Sequence, residues 1–385
     1  MRGYLDAAAT SPLLPEAREA MIAALDADAA NASSVHAAGH RARTIVEHAR
    51  QQLAEVCGVR PSEVIFTSGG TEANNLAVIG LALANPRGRH LVTSAIEHPS
   101  VLESCAYLQR VHGFDVTEIA VNDRGMTDPS KIESALRPDT ALVTVGLANG
   151  EVGTVQPVQE IARVSAAAGV LVHTDAVQAA ATLPVSMSQG GWPGNQVQAM
   201  TIASHKFGGP QGAGALLLRD GIALEPLLHG GGQEHGRRSG TENVVAIAGF
   251  AAAVTAHAHR IGARALALAS SRDALVERVL AEVPGAQLTG DETERLPGHA
   301  SFTVPGVSGE SLLVALDAAG IAASSGSACA AGNDEPSPVL LAMGVLPELA
   351  QTAIRFTLPE PMEPALRDRV VRVMTAEVSR ARRLR

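Results

Sequence analysis

From about residue 15 to residue 255, short β-rich apolar runs alternate with longer stretches of helical periodicity. The run at 64–67 leads into a helical pattern over 71–84, 90–94 into 99–112, and 140–146 into 158–168. Further strand-like runs follow at 170–174, 199–203 and 213–218. Strand and helix in alternation predict an α/β fold, a mostly parallel sheet sandwiched by helices. Ligands in such folds lie beyond the carboxyl ends of the strands. After residue 256 the pattern changes to a long Ala/Arg-rich helix over 257–283, a strand at 301–304 and a helix at 309–319. Strands at 321–324 and 353–358 and a closing helix from Pro364 complete it. This predicts two domains: a large one over 15–255, and a smaller α+β one built from 1–14 and 256–385. The stretch 189–196 reads as a surface loop.

The 385 residues are 46% hydrophobic but only 2% aromatic, so the core must be built from Ala, Val, Leu and Ile. A formal charge of −9 argues against a nucleic-acid or membrane-surface binder. No apolar run reaches the roughly 20 residues that span a bilayer, and the start has no signal-like apolar core. The expectation is a soluble cytoplasmic protein. Three distant cysteines, Cys57, Cys105 and Cys329, make neither a disulfide framework nor a metal-ligand spacing, so no resident metal is expected. Only Lys131 and Lys206 are lysines among thirty basic residues. Chemistry that needs a primary amine therefore has two candidates.

Three strand ends carry candidate chemistry. Thr67-Ser68-Gly69-Gly70-Thr71 turns a strand into a helix, where backbone N–H groups and the helix dipole suit a phosphate; a plain capped turn looks the same. Asp175 stands just past an apolar strand, placed either to hold a ring nitrogen protonated or simply to cap a helix. Ala203-Ser204-His205-Lys206-Phe207-Gly208-Gly209 puts a lysine behind a strand and before a glycine turn, as a Schiff-base lysine would sit. His98, in Glu97-His98-Pro99, follows a fourth strand and is either a ring-stacking group or a structural histidine. A phosphate turn, a ring-nitrogen acid and a lysine in this order are the parts of a pyridoxal-phosphate site.

Two features lie in the second region. Cys329 sits amid Ser, Gly and Ala in 323–334, a loop-like setting, whereas Cys57 and Cys105 fall in helical patterns as packing residues. A thiol on a loop can reach a substrate and then an acceptor, with reactivity set by its thiolate fraction. Arg355, in a short apolar strand, offers a guanidinium for a substrate carboxylate. The Arg-rich run 367–385 reads as a solvated helix face more readily than as a docking surface.

Taken together, these residues resemble the class V, fold-type-I pyridoxal-phosphate enzymes (aspartate aminotransferase-like), and within them the NifS/IscS-like cysteine desulfurases. The likeness includes Tyr4-Leu5-Asp6 with Ala9-Thr10, Asn31-Ala32-Ser33-Ser34-Val35-His36, and His229-Gly230-Gly231-Gly232-Gln233-Glu234 with Arg238-Ser239-Gly240-Thr241. The resemblance implies that Lys206 carries the cofactor, His98 stacks on its ring, Asp175 pairs with the ring nitrogen and Gln178 contacts the ring hydroxyl. It assigns the phosphate to Gly70, Thr71, Ser204 and His205, joined by Thr241 from the partner subunit of a homodimer. Arg355, with Asn149, binds the substrate, L-cysteine. Cys329 accepts its sulfur as a persulfide, meeting iron–sulfur chemistry only in passing, and leaves L-alanine. The long-loop pattern at 324–329 implies delivery to acceptor proteins, an iron–sulfur scaffold or a thiolation enzyme. Three positions depart from the family pattern: Gly150 replaces the second Asn of Asn-Asn-Glu, Ala203 a phosphate-binding serine, and Ser11 a threonine. An aminotransferase or selenocysteine lyase, and a catalytically silent binding partner in a sulfur-transfer complex, are the alternatives.

Overall fold

The computed structural model describes residues 3–28, 30–325 and 335–383. Seven strands form the larger sheet: β1 (Val64–Thr67), β2 (His90–Ser94), β3 (Asp115–Ile119), β4 (Thr140–Thr144), β5 (Leu171–Asp175), β6 (Ala199–Ala203) and β7 (Gly214–Leu218). Their spatial order is β1-β7-β6-β5-β4-β2-β3. Only β7 runs against its neighbours; the pairs from β6 through β5, β4 and β2 to β3 are all parallel.

Strand residues alternate between two apolar layers, the period-2 geometry of a pleated sheet. Ile65, Leu91, Leu142 and Leu216 face one way, into a cluster with Leu76, Leu81 and Leu108 of α3 (Gly70–Ala84) and α4 (Pro99–His112). Phe66, Val92, Val143 and Leu217 face the other. That second layer is closed by α1 (Pro15–Asp26), α2 (Ala37–Cys57), α5 (Pro129–Ala135), α6 (Val158–Ala167) and α7 (Val244–Ala258). Strands covered on both faces are rich in Val, Leu, Ile and Ala, with a few buried polar residues such as His173 and Thr201, which is why the central ones stood out along the chain. Edge strand β3, Asp-Val-Thr-Glu-Ile, is half-exposed and polar, and that pattern carries no strand signal.

The remaining elements are α8 (Ile261–Glu282), β8 (Gln287–Leu288), β9 (His299–Thr303), α9 (Gly309–Ala318), α10 (Pro338–Ala342), α11 (Pro347–Ala350), β10 (Ala353–Thr357) and α12 (Pro364–Arg383). Strands β10-β9-β8 make an antiparallel sheet with its own core of Phe302, Phe356, Leu312, Leu316 and Val371. The helix expected over 257–283 is a correction: the chain breaks between α7 and α8 with a 74° bend, so residues up to Ala258 belong to the large sheet's layer. The strand expected at 321–324 is another. It makes only single bridges, Ala322 to Tyr4 and Ser324 to Arg355. Among the described residues no single helix is long and apolar enough to cross a membrane.

Candidate active site

Five strands of the large sheet end at one edge, and each delivers a polar group there. After β1 the chain turns at Ser68-Gly69-Gly70 into α3. A Cβ on Gly70 would meet Val177 at 2.9 Å and Ala203 at 3.3 Å, so the turn lies close against the ends of β5 and β6. A Cβ on Gly214 would meet the Gly69 carbonyl carbon at 2.6 Å, closing it from the β7 side. The first N–H groups of α3 have no partner within a helix. They open on a cleft of about 420 Å³ lined by Thr10, Ser68, Gly70, Thr71, His205 and Gln211, among others. Glu72 also borders it. Burial pushes its carboxyl up, but hydrogen bonds from Arg238 (2.7 Å) and Ser68 N–H (2.7 Å) outweigh that and hold it below the ordinary range. The cleft thus combines helix-end donors with an ionised carboxylate whose charge Arg238 offsets.

Asp175, the last residue of β5, accepts from Asn74 Nδ2 (2.6 Å) and Val177 N–H (2.9 Å). Asn74 also donates to Ser100 Oγ (2.9 Å), which lies 2.7 Å from His98 Nδ1. Because Ser100 N–H donates to that same Nδ1 (3.1 Å), Nδ1 must hold a lone pair and the neutral ring carries its proton on Nε2. Burial lowers the His98 pKa, with Asp175 opposing and Lys206 assisting. The chain Asp175–Asn74–Ser100–His98 therefore fixes an acid and a neutral imidazole relative to each other. Neither Asn74 nor Ser100 was picked out from the sequence. The available signal was a polar Asn74 just ahead of the apolar run 76–83.

Lys206 closes a short helical turn, Ser204–Lys206, after β6. Its Nζ donates to the carbonyls of Ala8 and Ala9, and Ser11 Oγ donates to its backbone carbonyl (2.8 Å). Ser11 thus does structural work at a position where the family pattern has threonine. His205 lies 3.2 Å from Thr10 Oγ1, and burial lowers its pKa to about 4, so it is neutral at pH 7. Ser204 is placed differently: its hydroxyl is buried facing Gly209, where an added Cβ would come within 2.3 Å, and it does not line the cleft. Thr241 is exposed and is not among the cleft's lining residues within one chain.

The other wall comes from the turn at 149–153. Asn149 Oδ1 accepts from Glu151 and Val152 N–H (2.8 and 3.0 Å), and its Nδ2 donates to Ile96 O (2.9 Å). The side chain is spent on holding the turn beside His98. Gln178 Nε2 donates to Ala8 O (3.0 Å), the carbonyl that also receives Lys206. A Cβ on Gly150 would meet that Gln178 amide at 3.0–3.2 Å, so Gln178 fills the space that a side chain at 150 would take. Arg355, on β10, is buried and donates to Gly150 O (3.0 Å) and Asp6 Oδ1 (3.0 Å). Its Nε has no partner among the described residues. Ser324 pairs with Arg355 through both backbone hydrogen bonds, placing the residue five before Cys329 against the guanidinium strand. Cys329 itself lies outside the described residues. Cys57 and Cys105 are buried, and burial pushes both thiols up to about 12, so neither is a thiolate near pH 7.

The class-V aminotransferase family model matches residues 3–359. A Mycobacterium tuberculosis protein named IscS-like cysteine desulfurase is 44% identical over 99% of this chain and 97% of its own length. A solved structure titled NifS-like protein superposes with a TM-score of 0.90 at 34% identity, covering 98% of this chain and all of that one. Another, titled SspA in complex with cysteine, gives 0.81 at 33% identity over 94% of this chain and 99% of its own. The chain belongs to the class-V aminotransferase family of pyridoxal-phosphate enzymes, within its cysteine desulfurases.

Proposed function

We propose that this chain binds pyridoxal phosphate at Lys206, takes L-cysteine as substrate and moves its sulfur to Cys329. The observation that carries the reading is the convergence of a helix-end anion cleft, Asp175 and the Lys206 amine at one sheet edge. That donor set fits the cofactor: N–H groups of Gly70 and Thr71, the Thr71 hydroxyl and His205 suit its phosphate, and Asp175 suits its ring nitrogen. The cysteine-bound structure of a relative supports the substrate. When bound, the cofactor acidifies the substrate's α-carbon and stores the electron pair released there.

This chain's own residues do the rest. Lys206 Nζ, once freed, removes and returns a proton. Neutral His98, with its proton on Nε2, serves as a relay. Arg355, held from behind by Asp6 and Gly150, binds the substrate carboxylate. The Cys329 thiolate attacks the substrate sulfur; an S–S bond forms and the Cβ–S bond breaks, leaving its electron pair toward Cβ. A proton replaces the sulfur there, which gives alanine and a Cys329 persulfide.

The reading divides the chain into a large domain over 15–255 and a small one over 1–14 and 256–385. It also takes the working unit to be a cytoplasmic homodimer, with Thr241 completing the partner subunit's phosphate site and acceptors in iron–sulfur assembly or tRNA thiolation. The test is alanine release from L-cysteine by cofactor-loaded protein with a reducing thiol, beside Cys329→Ser. Alanine from the wild type alone supports the reading; alanine from both overturns the role of Cys329.

A further inference from the structure

Among the contacts that join the turn at 149–153 to the small sheet's side of the molecule, three fall on Gly150 and Glu151. Gly150 O receives Arg355, Glu151 O lies 3.0 Å from His299 Nε2, and Ser337 Oγ donates to Glu151 Oε2 at 2.5 Å. The third is unlike the others because it joins two side chains. Ser337 is buried and caps α10 by accepting from Leu340 N–H (3.1 Å), so one hydroxyl serves the helix and the carboxyl together. Glu151 is poor in other partners: only the Arg355 charge acts on it besides Ser337, and burial pushes its carboxyl up to about 7. Ser337 lies eight residues past Cys329, as Ser324, paired to Arg355, lies five before it. Both flanks of the cysteine segment are therefore tied to the substrate-facing turn, one through Arg355 and one through Glu151.

We propose that Glu151 is a positioning residue. Through Ser337 it fixes where the chain re-enters the fold after Cys329, and so sets how often the thiol meets a substrate held at Arg355. The inference rests on Cys329 being the sulfur acceptor. A carboxyl here has no need to exchange a proton with substrate; its contribution is the hydrogen bond and the register that the bond imposes.

Four variants of the full, cofactor-loaded chain separate this role from helix capping. Ser337→Gly removes the hydroxyl but keeps a residue that caps a helix almost as well as serine. It should lower kcat for alanine release about tenfold or more, the scale on which a misplaced reacting group acts. The cysteine concentration that half-saturates the cofactor's absorbance change, and the melting temperature, should stay close to wild type. Glu151→Ala should give the same loss, and the double variant should be no worse than either single one, as for two ends of one interaction. Ser337→Thr should restore most of the rate. The rate of Cys329 alkylation by iodoacetamide, read by peptide mass with Cys57 and Cys105 as buried controls, should change in Ser337→Gly and Glu151→Ala alike. Wild-type turnover and alkylation in Ser337→Gly would overturn the inference, as would losses that multiply in the double variant. A Cys329→Ser chain that still released alanine would overturn the sulfur-acceptor reading beneath it, a result separable from either of these.

Discussion

The end of the seven-stranded sheet and the turn at 149–153 face each other across the site, yet they are organised in opposite ways. At the sheet end, each group is held by neighbours on adjacent strand ends: Asp175 by Asn74 and Val177, Lys206 by Ala8, Ala9 and Ser11. These contacts fix the groups at the sheet edge, beside the cleft at the start of α3. At the turn, side chains are consumed in holding the backbone: Asn149 binds Glu151, Val152 and Ile96, and Arg355 of β10 reaches across to Gly150 and Asp6. One region is the proposed cofactor site. The other joins the turn to the small sheet's side of the molecule, and the proposed substrate recognition by Arg355 would be added to that structural duty. Arg355 shows the consequence: its buried guanidinium is fixed by Asp6 and Gly150, and in the proposed reading its remaining N–H groups donate to the substrate carboxylate.

Removing the cofactor-side amine should produce the largest effect. Lys206→Ala should cost at least the 10²–10⁴-fold typical of lost proton transfer, measured as alanine release, with Lys131 unable to substitute. On the opposite wall, Arg355→Lys keeps the charge but loses the planar fork. The KM for cysteine should rise about tenfold or more, equivalent to roughly 1.4 kcal/mol, with the cofactor spectrum unchanged. Asn74→Leu breaks the link between Asp175 and Ser100. Cofactor affinity, read by absorbance on titrating in pyridoxal phosphate, should fall, because the Asp175 carboxylate loses the 2.6 Å donor that orients it.

Smaller effects sharpen the same contrast. Glu97, buried between Ser94 and Gly146, has its pKa raised to about 7 from 4.5 by burial, with Asp175 adding to the rise. Between those values the unfolded chain ionises while the folded one stays neutral, so stability falls as pH rises from 4.5 to 7 and levels off above. Glu97→Gln should remove that decline; across the window the difference should approach about 3 kcal/mol, at roughly 1.4 kcal/mol per tenfold change in proton affinity. Chemical denaturation at pH 5 and pH 8 measures it. Gly150→Asn should change kcat only a few-fold, since Gln178 already occupies the space and a small shift of its flexible amide makes room.

The contrast also decides what could be read from the chain alone. Strand-end groups were legible because strand, turn and functional residue are contiguous: β5 ends in Asp175, and Lys206 follows β6 by three residues. The core strands were legible through their short apolar-rich runs, whereas polar edge strand β3 was not. The anchors were hidden because they join distant positions. Asp6 and Arg355 are 349 residues apart, Glu151 and Ser337 are 186 apart, and no local periodicity connects them. Ser204 sits beside the cleft residue His205, yet its hydroxyl turns inward under Gly209, an orientation that adjacency in sequence does not encode. The break between α7 and α8 was masked by Ala and Arg, both good helix formers, on either side of His259.

The most direct test of the central claim, that the sheet end is a cofactor site organised around Lys206, is borohydride reduction of the pyridoxal-phosphate-loaded protein followed by peptide mapping. With only two lysines in the chain, the answer is binary. The added mass should fall on the Lys206 peptide and be absent from the Lys131 peptide. Label on Lys131, or on neither lysine in protein that has taken up the cofactor, would contradict it.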